Sequence, residues 1–91
     1  MAVSPVVVCL SESGAVTGRR VAAALGLALN GRAGRVGGAD AEFAEATAHL
    51  RDLFAAGVPV IGVCAAGILI RAVAPLLSDK RAEPPVLALA E

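Results

Sequence analysis

The chain has 91 residues, of which 57% are apolar, 2% aromatic and 18% charged, with eight basic side chains against eight acidic. That length supports one domain with one modest core. Zero net charge, two Phe and no basic run leave neither the charge nor the stacking rings of a nucleic-acid binder, and the apolar content excludes a disordered chain.

Residues 5–10 (PVVVCL) form a short β-branched run and predict a strand buried on both faces. Ser11, Glu12, Ser13 and Gly14 supply turn and cap residues. A helix is expected from about Ala15 to Leu25, with Val16, Val21 and Leu25 as its larger apolar positions and Gly26 near its end. Residues 30–38 are Gly-rich and hold Arg32 and Arg35; they read as a loop, with at most a short edge strand at Arg35 and Val36. Asp40 is a candidate cap for the next helix. Phe43, Ala46, Leu50, Leu53 and Phe54 recur at helical spacing and Gly57 closes it, with Glu42, Glu45, Arg51 and Asp52 on the wet side.

Residues 58–64 (VPVIGVC) predict a second buried strand, and residues 65–67 a tight turn into a third helix. Ile68, Val73, Leu76 and Leu77 are expected inward there, with Pro75 as an interruption. Residues 79–83 form a charged loop, Pro84-Pro85 follows, and residues 86–90 form a last strand. The whole predicts a single α/β domain over residues 1–91. Its fold class is a small three-layer, Rossmann-like one, with a parallel sheet of about four strands and helices on both faces.

Residues 53–70 are eighteen positions without a charge, between Asp52 and Arg71, long enough to raise a membrane span. Gly57, Pro59, Gly62 and Gly67 punctuate them, so a helix end, a strand and a helix start are expected and no membrane association. Cys9 and Cys64 sit in apolar runs and read as buried reduced thiols; they match neither a disulfide scaffold nor a zinc spacing. No Lys or Arg precedes Arg19, so the basic region of a secretory signal is missing and a cytoplasmic location is expected.

In an open parallel sheet, ligands gather beyond the carboxyl ends of the strands. Two stretches fall there: Ser11, Glu12, Ser13 and Gly14 after the first strand, and Ala66 and Gly67 after the middle one. Each leads into a helix N-terminus, whose N–H groups and dipole favour an anion, although ordinary turn chemistry also accounts for both. Arg71, on the third helix, could reach a carboxylate held at that helix start, or simply be a solvated flank. Lys80 and Arg81 are a solvated loop with a secondary role in steering an acidic ligand. Glu12 as a lone carboxylate reads first as a cap or dipole partner. His49 reads as a surface or shoulder residue without the partner a base needs. No metal site and no GxGxxG, Walker or nucleophile-elbow motif is present.

Residues 50–91 carry a longer pattern: Gly67, Ile68, Arg71, Ala74, Pro75, Leu76, Leu77, Lys80, Arg81, Pro84 and Val86. This stretch resembles the N-terminal domain of the cobalt-precorrin-5A hydrolase family of cobalamin biosynthesis; the first fifty residues match it by architecture alone. The resemblance implies two settings. One is the hydrolase, which opens a lactone and releases acetaldehyde. The other is an N-terminal extension fused to precorrin-3B C(17)-methyltransferase. Cys64, Ala65, Ala66 and Gly67, with residues 80–85 (KRAEPP), are closer to the fusion; hydrolases more often carry Thr at Ala66 and Asp at Glu83.

The resemblance therefore implies a carboxylated precorrin as ligand, with Ser11, Glu12, Ser13, Gly14, Ala66, Gly67, Arg71 and Lys80 as candidate contacts and no catalytic residue assigned. It implies no cofactor in this domain, and S-adenosylmethionine in a methyltransferase module downstream of Glu91. Three functions stand: the accessory domain of that methyltransferase, the N-terminal domain of the hydrolase, or a ligand-free module for homodimerisation through an apolar face.

Overall fold

A computed structural model of the chain describes residues 4–64, 66–73 and 85–89. The elements in chain order are β1 (Val6–Cys9), α1 (Glu12–Leu25), β2 (Ala28–Arg32), β3 (Ala41–Phe43), α2 (Ala46–Ala55), β4 (Val60–Val63), α3 (Ala66–Val73) and β5 (Val86–Leu89). The strands form one wholly parallel sheet in the order β3-β2-β1-β4-β5. Helices cover both faces, so the α/β, three-layer, Rossmann-like class expected from sequence holds, with five strands where about four were expected.

β1 is the centre of the sheet. Val7, Val8 and Cys9 are buried, alternating between the two faces. Val8 faces a cluster with Leu50 and Phe54 of α2, Val60 of β4 and Leu69 and Ala72 of α3. Val7 and Cys9 face the other way, with Ala15 and Ala22 of α1, Leu29, Val36 and Val63. The α2–α3 face is filled by large side chains, each contributing about 2 kcal/mol by burial. The α1 face is filled by small ones: Gly14, Ala15, Gly18 and Ala22 are its buried positions. Val16 and Leu25, two of the larger apolar residues of α1, are exposed instead. Small residues let the helix axis come close to the sheet. A Cβ at Gly18 would collide with the Cys9 sulfur.

α1 starts earlier than its apolar periodicity indicates, because Ser11 caps it. The Ser11 Oγ accepts from the Gly14 N–H at 3.3 Å, and Glu12 becomes the first helical residue. Gly26, at φ 67°, ends it in the left-handed conformation that a side chain would disfavour.

The Gly-rich stretch differs most from expectation. Its first three residues, Asn30 to Arg32, complete strand β2, a full interior member of the sheet. β3, not Arg35-Val36, forms the edge. Parallel strands are normally joined through a helix, yet residues 33–40 cross from β2 to β3 with none. Val36, 2% exposed, plugs the α1 face in a helix's place. Gly31 makes this possible: a Cβ there would lie 2.7 Å from Val36 Cγ1 and 2.9 Å from Ala39 Cβ. Asp40 does not cap α2. Its backbone N–H donates to Leu29 O at 2.9 Å and its Oδ2 accepts from the Leu29 N–H at 2.8 Å, stitching the crossover to β2. Phe43, placed in the helix by its spacing, is the last residue of β3. Glu45 caps α2, accepting from Thr47 and Ala48 N–H at 3.0 and 2.8 Å.

The uncharged stretch after Asp52 resolves into the end of α2, a turn at Gly57, β4 and α3. Among the described residues no helix is long and apolar enough to cross a membrane. Leu69 and Ala72 of α3 are buried, whereas Ile68, expected inward, is 36% exposed. The expectations at Pro75, Leu76, Leu77 and residues 79–84 fall outside the described residues.

Gly31→Ala should lower unfolding free energy by about 1–3 kcal/mol, because the atoms it meets are rigid Cβ positions of Val36 and Ala39. Gly37→Ala, whose Cβ would meet only Glu12 Oε1 at 4.0 Å, should leave it nearly unchanged. Urea denaturation of the two variants beside wild type tests the close approach. Equal midpoints would contradict it.

Candidate functional site

The strand order places a topological switch point between β1 and β4. From β1 the chain runs outward to β2 and β3, then crosses back by α2 to β4 and runs outward again to β5. Strands on either side of such a point diverge in their connections and leave a crevice beyond their carboxyl ends. Cys9, the last residue of β1, is the register partner of Val63, the last residue of β4. Two adjacent strands, about 5 Å apart, therefore end level and lead into two helix starts.

The two candidate stretches flank this point. Ser11, Glu12, Ser13 and Gly14 form the start of α1, and Ala66 and Gly67 open α3. Ser11 is engaged as the cap, and its Oγ is 3.1 Å from that of Ser13. The buried Gly14 donates its N–H to Ser11, and its carbonyl lies 3.9 Å from the Cys9 thiol, a weak donor. Arg71 is exposed on α3, one turn past Ile68 on the same outward face. Lys80 lies outside the described residues.

Glu12 is held within the protein. Its Oε2 pairs with Arg19 Nη2 at 2.7 Å, and its Oε1 accepts from the same nitrogen at 3.2 Å and from the Gly37 N–H at 3.3 Å. The Arg19 hydrogen bond, then the Gly37 one, holds the carboxyl below the usual glutamate range. Arg19 also donates to the Gly37 carbonyl at 2.7 Å. This cluster ties the β2–β3 crossover to the first turns of α1. No sequence motif marks it, because one partner is a backbone group far along the chain.

His49 is likewise integrated. It is half-buried, its Nε2 is 2.7 Å from Asn30 Oδ1, and its ring stacks on Phe43 with centroids 4.4 Å apart and planes 6° from parallel. Asn30 is the buried polar residue of β2, and this bond engages its side-chain oxygen. Burial lowers the His49 pKa, with the Asp52 carboxylate opposing. Arg51, read as solvated, donates through Nε to the Ala72 carbonyl of α3 at 2.8 Å and so joins α2 to α3. Cys9 and Cys64 are both buried, and neither is in a disulfide. Burial raises the Cys9 pKa, with Arg19 opposing. Among the described residues no three His, Cys, Asp or Glu side chains cluster as a metal ion requires.

What the crevice offers is therefore backbone N–H groups and dipoles at two helix starts, with an exposed guanidinium on α3. That set suits binding of anionic groups.

Residues 48–91 match a family model described as cobalamin synthesis G N-terminal. The matched segment contains most of α2 and all of β4, α3 and β5, which is the β4 side of the switch point. It coincides with the stretch whose pattern resembles that family, and it supports a role in cobalamin biosynthesis. No curated protein and no solved structure matches the chain.

The lowered His49 pKa fixes the sign of a pH effect. The unfolded chain, with His near 6.5, binds a proton that the folded chain resists. Stability is therefore full above about pH 6.5 and falls as pH drops through the folded value. His49→Gln should remove that loss, leaving the acid limb below about pH 4.5 that Glu12 and Glu45, both lowered, produce. Denaturation midpoints between pH 8 and 4 measure it; the same slope in both proteins near pH 6 would refute the assignment.

Proposed function

We propose that the chain is an accessory N-terminal domain of a precorrin-3B C(17)-methyltransferase in cobalamin biosynthesis, and that it binds a carboxylated corrin precursor at the switch point. The level ends of β1 and β4, each feeding a helix start, are the observation that carries the binding role. The family match over residues 48–91 supports the pathway. The fusion-like residues at Cys64, Ala66, Gly67 and Glu83 favour the methyltransferase setting over the hydrolase.

In this reading the macrocycle's peripheral acetate and propionate groups meet the first turns of α1 and α3. Arg71 adds a cation on the α3 side, and Lys80 is a second cation by the family pattern. The first-turn N–H groups are fixed before the ligand arrives, so little ordering is needed on binding. The ring's charge is met by dipoles and guanidinium rather than by a metal or nucleophile of this domain. S-adenosylmethionine belongs to the downstream methyltransferase module, where methyl transfer occurs. The role here is to hold and present the ring.

Uroporphyrin, a stable tetrapyrrole with acetate and propionate side chains, is a suitable probe. Absorbance titration should saturate at one ring per chain. Arg71→Ala should weaken it by about two- to fivefold, the worth of one exposed ion pair. Inorganic sulfate at the same concentration should not displace it. Absence of saturable binding would leave the ligand-free dimerisation module. Acetaldehyde released from a lactone-bearing cobalt-precorrin would replace the methyltransferase setting with the hydrolase one.

A further inference from the structure

Beyond the backbone bonds of Ala33 to Phe43 and of Arg35 and Val36 to Arg32, the β2–β3 crossover, residues 33–40, is held at three further points. At its exit, Asp40 clamps Leu29 through both backbone and side chain. In its middle, Val36 is sunk into the α1 face over Gly31. At Gly37 the contacts are of a different kind. The N–H and carbonyl of that one residue are held by Glu12 and Arg19, two side chains of α1 that also pair with each other. The first two contacts are buried or backbone-based. The third is in water, with Arg19 and Glu12 side chains 43% and 55% exposed. It is also located at the first turns of α1, beside the switch point.

We infer that residues 33–40 form a strap that Arg19 fastens across the first turns of α1, and that Arg19 is thereby a positioning residue for the carboxylated ring, an inference that rests on the reading above. The geometry separates two tasks. Val36 and Asp40 hold the crossover to the sheet and belong to the fold. Arg19 and Glu12 set where Gly37 sits relative to the helix start, and therefore the shape of the crevice rim on the β2 side. One nitrogen of Arg19, Nη2, meets the Glu12 carboxylate and the Gly37 carbonyl together. Glu12 in turn orients the guanidinium and accepts the Gly37 N–H. The candidate ligand contact at Glu12 is thus recast as part of the fastening.

The test compares Arg19→Ala, Arg19→Lys and Arg20→Ala in the full chain. Arg20 is the neighbouring exposed cation of α1, so Arg20→Ala removes the same charge without unfastening anything. Amide hydrogen exchange is read at Gly37 and at Asp40, and uroporphyrin affinity is measured on the same proteins. Arg19→Ala should speed Gly37 exchange by about fivefold while Asp40, clamped to Leu29, keeps its wild-type rate. Uroporphyrin should bind Arg19→Ala at least about threefold more weakly than Arg20→Ala, with Arg19→Lys restoring part of the loss. Unchanged Gly37 exchange, or equal acceleration at Asp40, overturns the strap. Equal affinity in Arg19→Ala and Arg20→Ala overturns the positioning role and leaves a net-charge effect. If wild type binds no uroporphyrin, the positioning role falls with the proposed function, while the exchange rates still decide the strap.

Discussion

Strand β1 is the constraint from which the rest follows. It is four residues long, hydrogen-bonded on both sides by parallel neighbours, and covered on both faces. A parallel ladder cannot be closed by hairpins, so every neighbour of β1 must be reached by a crossover. Both faces must then be roofed, because Val8 points one way and Val7 and Cys9 the other. The two roofs are made differently. α2 and α3 bring Leu50, Phe54 and Leu69, whereas α1 brings Gly18 and alanines and leans close enough that Cys9 fills the gap. The switch point is a by-product of the same constraint, since a central strand with partners on both sides needs the chain to leave in one direction and return in the other.

Polar groups inside this apolar frame are few and paired. Asn30 is placed mid-strand on β2, where an orphaned amide would cost about 1–3 kcal/mol. His49 from α2 meets it while stacking on Phe43 of β3, so one histidine joins three elements. Arg51 ties α2 to α3, and Arg19 ties α1 to the crossover. By sequence, His49 and Arg51 had the look of solvated residues. Their work is to connect layers that small apolar side chains alone would leave free to slide.

How much of this was legible depends on where the signal lies along the chain. The β-branched runs at Val6–Cys9 and Val60–Val63 declare themselves because fully buried parallel strands need them. The stops at Gly26 and Gly57, the presence of a helix after each of the first and middle strands, and the α/β class follow from local chemistry, although α1 begins at Glu12 rather than near Ala15. β2 did not, because Asn30 and Gly31 argue against a strand by propensity. They are there for tertiary reasons, one to meet His49 and one to admit Val36. Phe43 fell by accident on the periodicity of α2, and Asp40 mimicked a cap while serving Leu29. Of the candidate site, the two stretches that the switch point brings side by side were visible as strand-to-helix turns. The engagement of Glu12 was not, since it depends on Arg19 and on a peptide group at Gly37.

The pairing of β1 also bears on how the chain reaches its native state. Val6 finds Ala28 soon after α1 is complete, but its other partner, Val60, arrives only once the crossover, β3 and α2 have been laid down. Parallel pairings between distant segments are slow to form because the intervening loop must be closed before any contact rewards it. During that interval the β4 side of β1 presents an open row of peptide groups and a β-branched surface, the kind of edge on which unfinished chains associate. In synthesis from the N-terminus, β1 precedes the other strands of the sheet but is enclosed only when β4, the fourth strand along the chain, has been made. The domain therefore spends its most vulnerable period with its future centre at the rim.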